Sequence, residues 1–266
     1  MPVELLRRGL LDRRRALIAW SIGVSAYVLL IAAIFPSIKS SKELDELVES
    51  YPDALKSLFG IGSGSLTSGS GFLDAELFSF MLPLFVLVLA IGSGARTLAG
   101  EEDAGRLELL LSYPVRRSRA VLAKAVAVAV EVALLCAVIL VALAVLNPLF
   151  GLDVAFGKLT AAVAALAVVG ILHGWLAVAV GAAVASRTLA LGIPAALVAG
   201  GYLIGGLHEL AGWLDPFRFL SVFWWLGSSP LQNGLRGWGV LLVALAALAV
   251  LAAAMQLFER RDLKVP

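Results

Sequence analysis

The sequence predicts an all-α polytopic membrane protein with six transmembrane helices and both termini in the cytoplasm. Composition comes first: 61% of the residues are hydrophobic and 15% charged, with a mean hydropathy of +0.96. Soluble domains average roughly 45–50% apolar and about 25% charged residues. The second observation is the spacing of the apolar runs. A span needs about 20 apolar residues to cross the hydrocarbon layer, and residues 16–35, 77–98, 121–146, 159–185, 189–210 and 238–258 meet that test. The third is where the 21 lysines and arginines fall. An even number of spans puts both termini on one side. On that side lie Arg7, Arg8, Arg13, Arg14, Arg15, Arg96, Arg106, Arg116, Arg117, Arg119, Lys124, Arg187, Arg260, Arg261 and Lys264. Only Lys39, Lys42, Lys56, Lys158, Arg218 and Arg236 fall on the other. Basic residues stay in the cytoplasm, so a multi-pass protein of the cytoplasmic (inner) membrane with its termini inside is expected.

In residues 1–15, Val3, Leu6, Leu10 and Leu11 alternate with Arg7, Arg8, Arg13, Arg14 and Arg15. This pattern predicts an amphipathic elbow helix on the inner leaflet, its arginines toward anionic lipid headgroups. The alternative is a plain basic flank that only sets topology. The apolar run that follows lacks a small-x-small cleavage site, which favours a retained span over a signal peptide. The first outer loop, residues 36–74, contains Ser40-Ser41-Lys42-Glu43 and Ser50-Tyr51-Pro52-Asp53, both with helix-start spacing. Two short surface helices are therefore predicted over about residues 40–59. The glycine- and serine-rich stretch 60–71 reads as a flexible connector. It is no phosphate loop, because no Gly-Lys-Ser/Thr follows its glycines.

The six-span domain covers residues 16–258, followed by a cytoplasmic tail, 259–266. Pro83, Gly92 and Gly94 mark the second span. Gly170–Gly174 in the fourth and Gly201–Gly205 in the fifth have the spacing that lets helix backbones approach closely, and they read as packing positions. The aromatic-rich segment 213–235 suits short helices at the outer membrane interface; contact with a substrate is the alternative.

Glu131 in the third span and His173 in the fourth are the ionisable groups deepest in the apolar runs. Such groups are expensive in lipid and are functional candidates. At 1.5 Å rise per residue they reach similar depth, so a hydrogen-bonded pair is expected, either to orient two helices or to take part in transport. Catalysis and metal binding find no support. There is no Gly-x-Ser-Gly and no intramembrane aspartate pair, and His173 and His208 lack Cys or carboxylate neighbours at ligand spacing. No Walker A sequence is present, so the chain is expected neither to be an enzyme nor to bind a cofactor. Cys136 is the only cysteine, and the net charge of +2 gives no reason to expect nucleic acid.

Residues 101–124 form the longest charged interruption between two apolar runs. Residues 104–111 favour helix, with Leu107, Leu110 and Leu111 on one face, and Tyr113-Pro114 stops it. Arg116, Arg117 and Arg119 then return the chain to the inner leaflet. A short helix over about residues 100–113, a proline break and a basic anchor make an elbow; a solvated inner loop is the alternative. The run Glu101-Glu102-Asp103-Ala-Gly105-Arg106-Leu-Glu108-Leu-Leu-Leu-Ser-Tyr-Pro114-Val-Arg116-Arg117 resembles the signature of ABC-2-type ABC transporter permeases. Phe258-Glu-Arg-Arg261-Asp262-Leu263 is similar to that family's terminal motif, and Ser221–Trp225 to its aromatic segment. Arg106 departs from the Thr common in the family.

The resemblance implies a type V exporter-like fold. The inner loop would be a coupling helix seated in a cleft of a cytoplasmic ABC ATPase subunit. Glu101, Glu102, Asp103, Gly105, Arg106 and Glu108 would make the contacts. ATP and Mg would be bound by that ATPase, present in two copies beside two permease chains, identical or homologous. Two other readings remain at this level: a carrier driven by an ion gradient through Glu131, and a membrane anchor or assembly component that transports nothing.

Overall fold

The computed structural model describes residues 2–41, 50–51, 66–103, 105, 116–208, 211–227 and 229–261, with side chains from Arg13 onward. Nine α-helices follow one another among the described residues, with no strand: α1 Pro2–Ile38, α2 Gly69–Leu73, α3 Met81–Arg96, α4 Leu98–Asp103, α5 Arg117–Leu149, α6 Phe156–Ala183, α7 Arg187–Leu207, α8 Val222–Leu226 and α9 Gly237–Arg260. Six helical stretches are long and apolar enough to cross a membrane: Arg13–Ile38, Gly69–Arg96, Arg117–Leu149, Phe156–Ala183, Arg187–Leu207 and Gly237–Arg260. Each contains most of one predicted span.

Helix α6 is the hub. It packs against α3, α5, α7 and α9, while α1 lies along α5 on the outside. The reason is in its small residues. A Cβ added at Gly170 would stand 2.6 Å from Val86 of α3 and 3.0 Å from Val132 of α5. At Gly174 it would stand 2.7 Å from Val128 and 3.2 Å from the Ala90 carbonyl oxygen. Gly94 of α3 faces Gly174 in turn, where a Cβ would run into the Gly174 carbonyl. Three backbones meet at these glycines, as the GxxxG spacing predicts. The second such pair, Gly201–Gly205, packs differently: it receives Ser221 and Phe223 rather than another span. Ser221 Oγ donates to the Gly201 carbonyl at 2.7 Å and accepts from the Trp224 amide at 3.2 Å, which caps α8. The guanidiniums of Arg218 and Arg236 each approach Trp224 to 5.1 Å from a ring centre. The aromatic segment thus forms the expected short helices: a 3-10 turn Asp215–Leu220 and α8.

Three sequence expectations change. The elbow helix is not a separate element: α1 runs unbroken from Pro2 to Ile38. No proline stands between Pro2 and Pro36, so nothing ends the amphipathic part at residue 15. In the glycine-rich connector, residues 66–71 take a defined conformation. Ser68 caps α2 by accepting from the Gly71 amide at 3.1 Å, and Gly69 lies against the Leu152 carbonyl where no side chain would fit. The second span therefore starts at Gly69 and crosses a wide π turn, Asp74–Phe78. Ser79 closes that turn, its amide and hydroxyl both donating to the Asp74 carbonyl at 2.8 and 2.7 Å. Pro83 stands in the first turn of α3, where its missing N–H is harmless. Almost all of the predicted outer-loop helices, about residues 40–59, lies outside the described residues.

The third change concerns Asp74, read as the end of a loop. It is fully buried. Its carboxylate accepts from the Leu231 amide at 3.0 and 3.1 Å and from the Gln232 amide at 3.0 Å. This ties the start of the second span to the loop before α9. Nearby chain reversals are fixed similarly: the Asn147 side chain donates to and accepts from Val154, at 2.8 and 3.0 Å.

Candidate functional site: the charged end of the bundle

Most of the charge that the structure organises lies at the end bearing both termini. Helix α4, Leu98–Asp103, follows α3 after a single turn residue, Thr97, whose amide donates to Gly94 at 3.1 Å. Leu98 and Ala99 are buried beside α6, so the helix is seated on the bundle. Its acids are then divided. Glu101 pairs with Lys124 of α5, and Glu102 pairs with Arg261 beyond α9. All four side chains are mostly covered, between 13% and 20% exposed. Asp103 is exposed, and Gly105 follows at φ +65°, a left-handed conformation that favours glycine. Arg106 and Glu108, the other expected contacts, lie outside the described residues, as does the Tyr113-Pro114 break.

Arg261 was visible in the terminal motif, but its role was not. Its Nη1 points at the last carbonyls of α6, 3.3 Å from Gly181 and 3.4 Å from Ala182. A cation there offsets the negative end of the helix. Arg117 donates to the Arg261 carbonyl at 2.7 Å. Phe258, fully buried one turn earlier, packs with Leu98, Val121 and Ala182. One short motif thus joins α4, α5, α6 and α9. Arg261→Ala is expected to destabilise the protein by about 1.5–3 kcal/mol, the range for hydrogen bonds to charged groups. A double-mutant cycle with Glu102→Gln, read by thermal unfolding, isolates the pair; a coupling indistinguishable from zero would refute it.

The basic residues expected to anchor the inner leaflet separate into two groups. Arg14, Arg15, Arg116 and Arg119 are exposed and free to meet headgroups. Arg13 and Arg117 turn toward the protein. The side chains of Arg7 and Arg8 lie outside the description. Arg13 is the informative one: its Nη1 donates to Glu131 Oε1 at 2.8 Å, while the Ser93 hydroxyl donates to Glu131 Oε2. Glu131 is 1% exposed, and both its oxygens are held.

The expected Glu131–His173 pair is therefore not formed. His173 is buried, and its Nδ1 bonds to the Val169 carbonyl in its own helix at 2.9 Å. An ionised carboxylate bonds a guanidinium more strongly than it does a neutral ring. Arg13 reaches it because unbroken α1 lies along α5. Arg13, Ser93, Glu131 and Arg96 line one small cleft with the apolar side chains of Leu17 and Leu89. The sequence signal for Ser93 and Arg13 was weak, since neither residue type is unusual at the end of a span.

Among the described residues no group of three His, Cys, Asp or Glu side chains is placed to hold a metal ion. Cys136 is buried and unpaired. What the site can do is mechanical: a small acidic helix is fastened by ion pairs to the third span and to the end of the sixth.

No curated protein matches the chain. Residues 9–259 match the family model described as multidrug efflux system permease Rv1217c, C-terminal domain. That match runs through all six membrane-length helices, from within α1 to the last turns of α9, and so the chain belongs to this family of efflux-system permease domains and is a multi-pass membrane permease.

Proposed function

We propose that the chain is the membrane subunit of an ATP-binding-cassette exporter in the cytoplasmic membrane. ATP and Mg would be bound by two copies of a separate ATPase subunit, and a second permease unit, identical or homologous, would complete the path. Membership of a family of efflux-system permeases supports export and a transporter of several parts. The observation that carries the reading is α4. It stands at the basic end, which the positive-inside rule assigns to the cytoplasm, and it is clamped by Glu101–Lys124 and Glu102–Arg261. A push on α4 is thereby delivered to α5 and α9. The ion pairs also refine the roles implied by the family resemblance. Glu101 and Glu102 would serve as internal fasteners, leaving Asp103 and the chain beyond it as the surface for the ATPase.

The test is transport by inside-out membrane vesicles. Mg-ATP should drive uptake that persists when an uncoupler collapses the ion gradient. Asp103→Arg should reduce that uptake at least about tenfold, as expected for a desolvated charge reversed in an interface, with unfolding temperature unchanged. Uptake that follows the gradient and ignores ATP would overturn the reading. The holding of Glu131 by Arg13 counts against such a carrier, because a carboxylate bonded on both oxygens is poorly placed to shuttle a proton.

A further inference from the structure

We propose that the cleft between α1, α3 and α5 binds the phosphate headgroup of an anionic membrane lipid. The charge balance points there. Among the described residues Glu131 is the only carboxylate lining the cleft, and Arg13 already neutralises it. Arg96, on the rim, keeps its guanidinium exposed; its Nε donates to the Gly92 carbonyl of its own helix at 2.9 Å, and it has no ion pair among the described residues. Arg187, the first residue of α7, flanks it. A Cβ built at Gly100 would be 3.8 Å from Arg96 Cβ and 4.0 Å from Arg187 Cδ, so the two side chains leave their helices on either side of that glycine. Arg187 is also exposed and without an ion pair among the described residues. Two guanidiniums therefore share the cleft with one carboxylate, and a third, Arg187, stands beside Arg96.

The shape selects among anions. Ala16, Leu17 and Leu89 form the wall of the cleft, and the exposed Ile18 and Ile22 continue along α1 toward the middle of the membrane. A cationic rim above an apolar wall fits an amphiphile whose charge is at one end. Guanidiniums suit phosphate oxygens because their planar donors bind two at a time. The level is right as well: Arg13 stands just before the apolar run 16–35, and Arg96 closes the second membrane-length stretch, which places both where headgroups lie. This site needs only that the chain spans a bilayer; it does not depend on the ATPase assignment.

The experiment uses the full chain in nanodiscs or mild detergent, with bound lipid counted by native mass spectrometry. Phosphatidylglycerol should be retained in preference to phosphatidylcholine. Each arginine near a headgroup strengthens binding about fivefold, so Arg96→Gln with Arg187→Gln should weaken retention tenfold or more. Arg96→Lys with Arg187→Lys should restore most of it. Arg260→Gln with Lys158→Gln removes the same charge from exposed positions outside the cleft and should leave retention near the native level. Equal retention of the two lipids, or equal loss in both double-glutamine variants, would overturn the site. Inorganic phosphate at millimolar concentration should not displace the lipid; full displacement would make this a soluble-anion site and overturn the lipid assignment.

Discussion

Glu131→Ala is expected to lower the stability of the bundle by about 3 kcal/mol, the lower end of what breaking a buried ion pair costs. The lower end applies because Arg13 is 22% exposed and its freed guanidinium can turn partly to water. Two groups lose their acceptor at once, the Arg13 guanidinium and the Ser93 hydroxyl. Arg13→Met together with Glu131→Leu should recover most of the loss, since apolar replacements of similar volume are often as stable as the pair they replace. Cys136 supplies the readout. It is the only cysteine and is buried, so a thiol-reactive dye labels it only as the bundle opens on heating. A single variant that unfolds at the native temperature would show that the pair holds nothing together.

A second large effect is expected at Gly94. In Gly94→Val the new side chain meets the Gly174 carbonyl and approaches Ala177 Cβ, which a Cβ alone would reach within 2.8 Å. Backbone cannot yield as a side chain does, so α3 and α6 must part. Overpacking of this kind costs typically 1–3 kcal/mol or more, and here it opens the most central helix contact. Failure to accumulate in the membrane is the expected result. Gly192→Val and Gly200→Val are the contrast, because nothing lies within 4 Å of a Cβ at either position. Both should be made at native levels, with a β-branched residue tolerated in a membrane-length helix. Similar loss in all three variants would mean that glycine matters here for helix flexibility rather than for close approach.

The two glycine pairs show what could be read from sequence. Gly170 and Gly174 carry their contact in their spacing, because any helix that presents two small residues four apart offers a neighbour a groove. Gly201 and Gly205 have the same spacing, yet their groove takes a loop serine. Spacing specifies that something fits, not what. The spans were legible for a similar reason: apolar length is a local property, and each run met the bilayer requirement by itself. Polar pairing is not local. Equal depth suggested Glu131 with His173, but depth says nothing of azimuth, and the guanidinium on α1 came from 118 residues away. Asp74 illustrates the same limit, since its partners are the amides of Leu231 and Gln232, and no side-chain pattern announces a backbone donor. Within 101–124, the acids stood out by composition. The division of Glu101, Glu102 and Asp103 into two internal ion pairs and one exposed carboxylate depended on Lys124 and Arg261 being brought alongside.

Asp74 and Arg261 together have a consequence for how this bundle can move. At one end Asp74 binds the second span to the loop that leads into α9; at the other, Arg261 just past α9 grips Glu102 just past α3. The second and sixth spans are thus hooped at both rims, with α6 between them. A hooped frame resists shear, so these three helices should tilt as one body. The freedom left over belongs to α7, the membrane-length helix with the smallest buried share, which borders the frame from outside. If the permease opens by bending, the hinge lies in the seam along that helix.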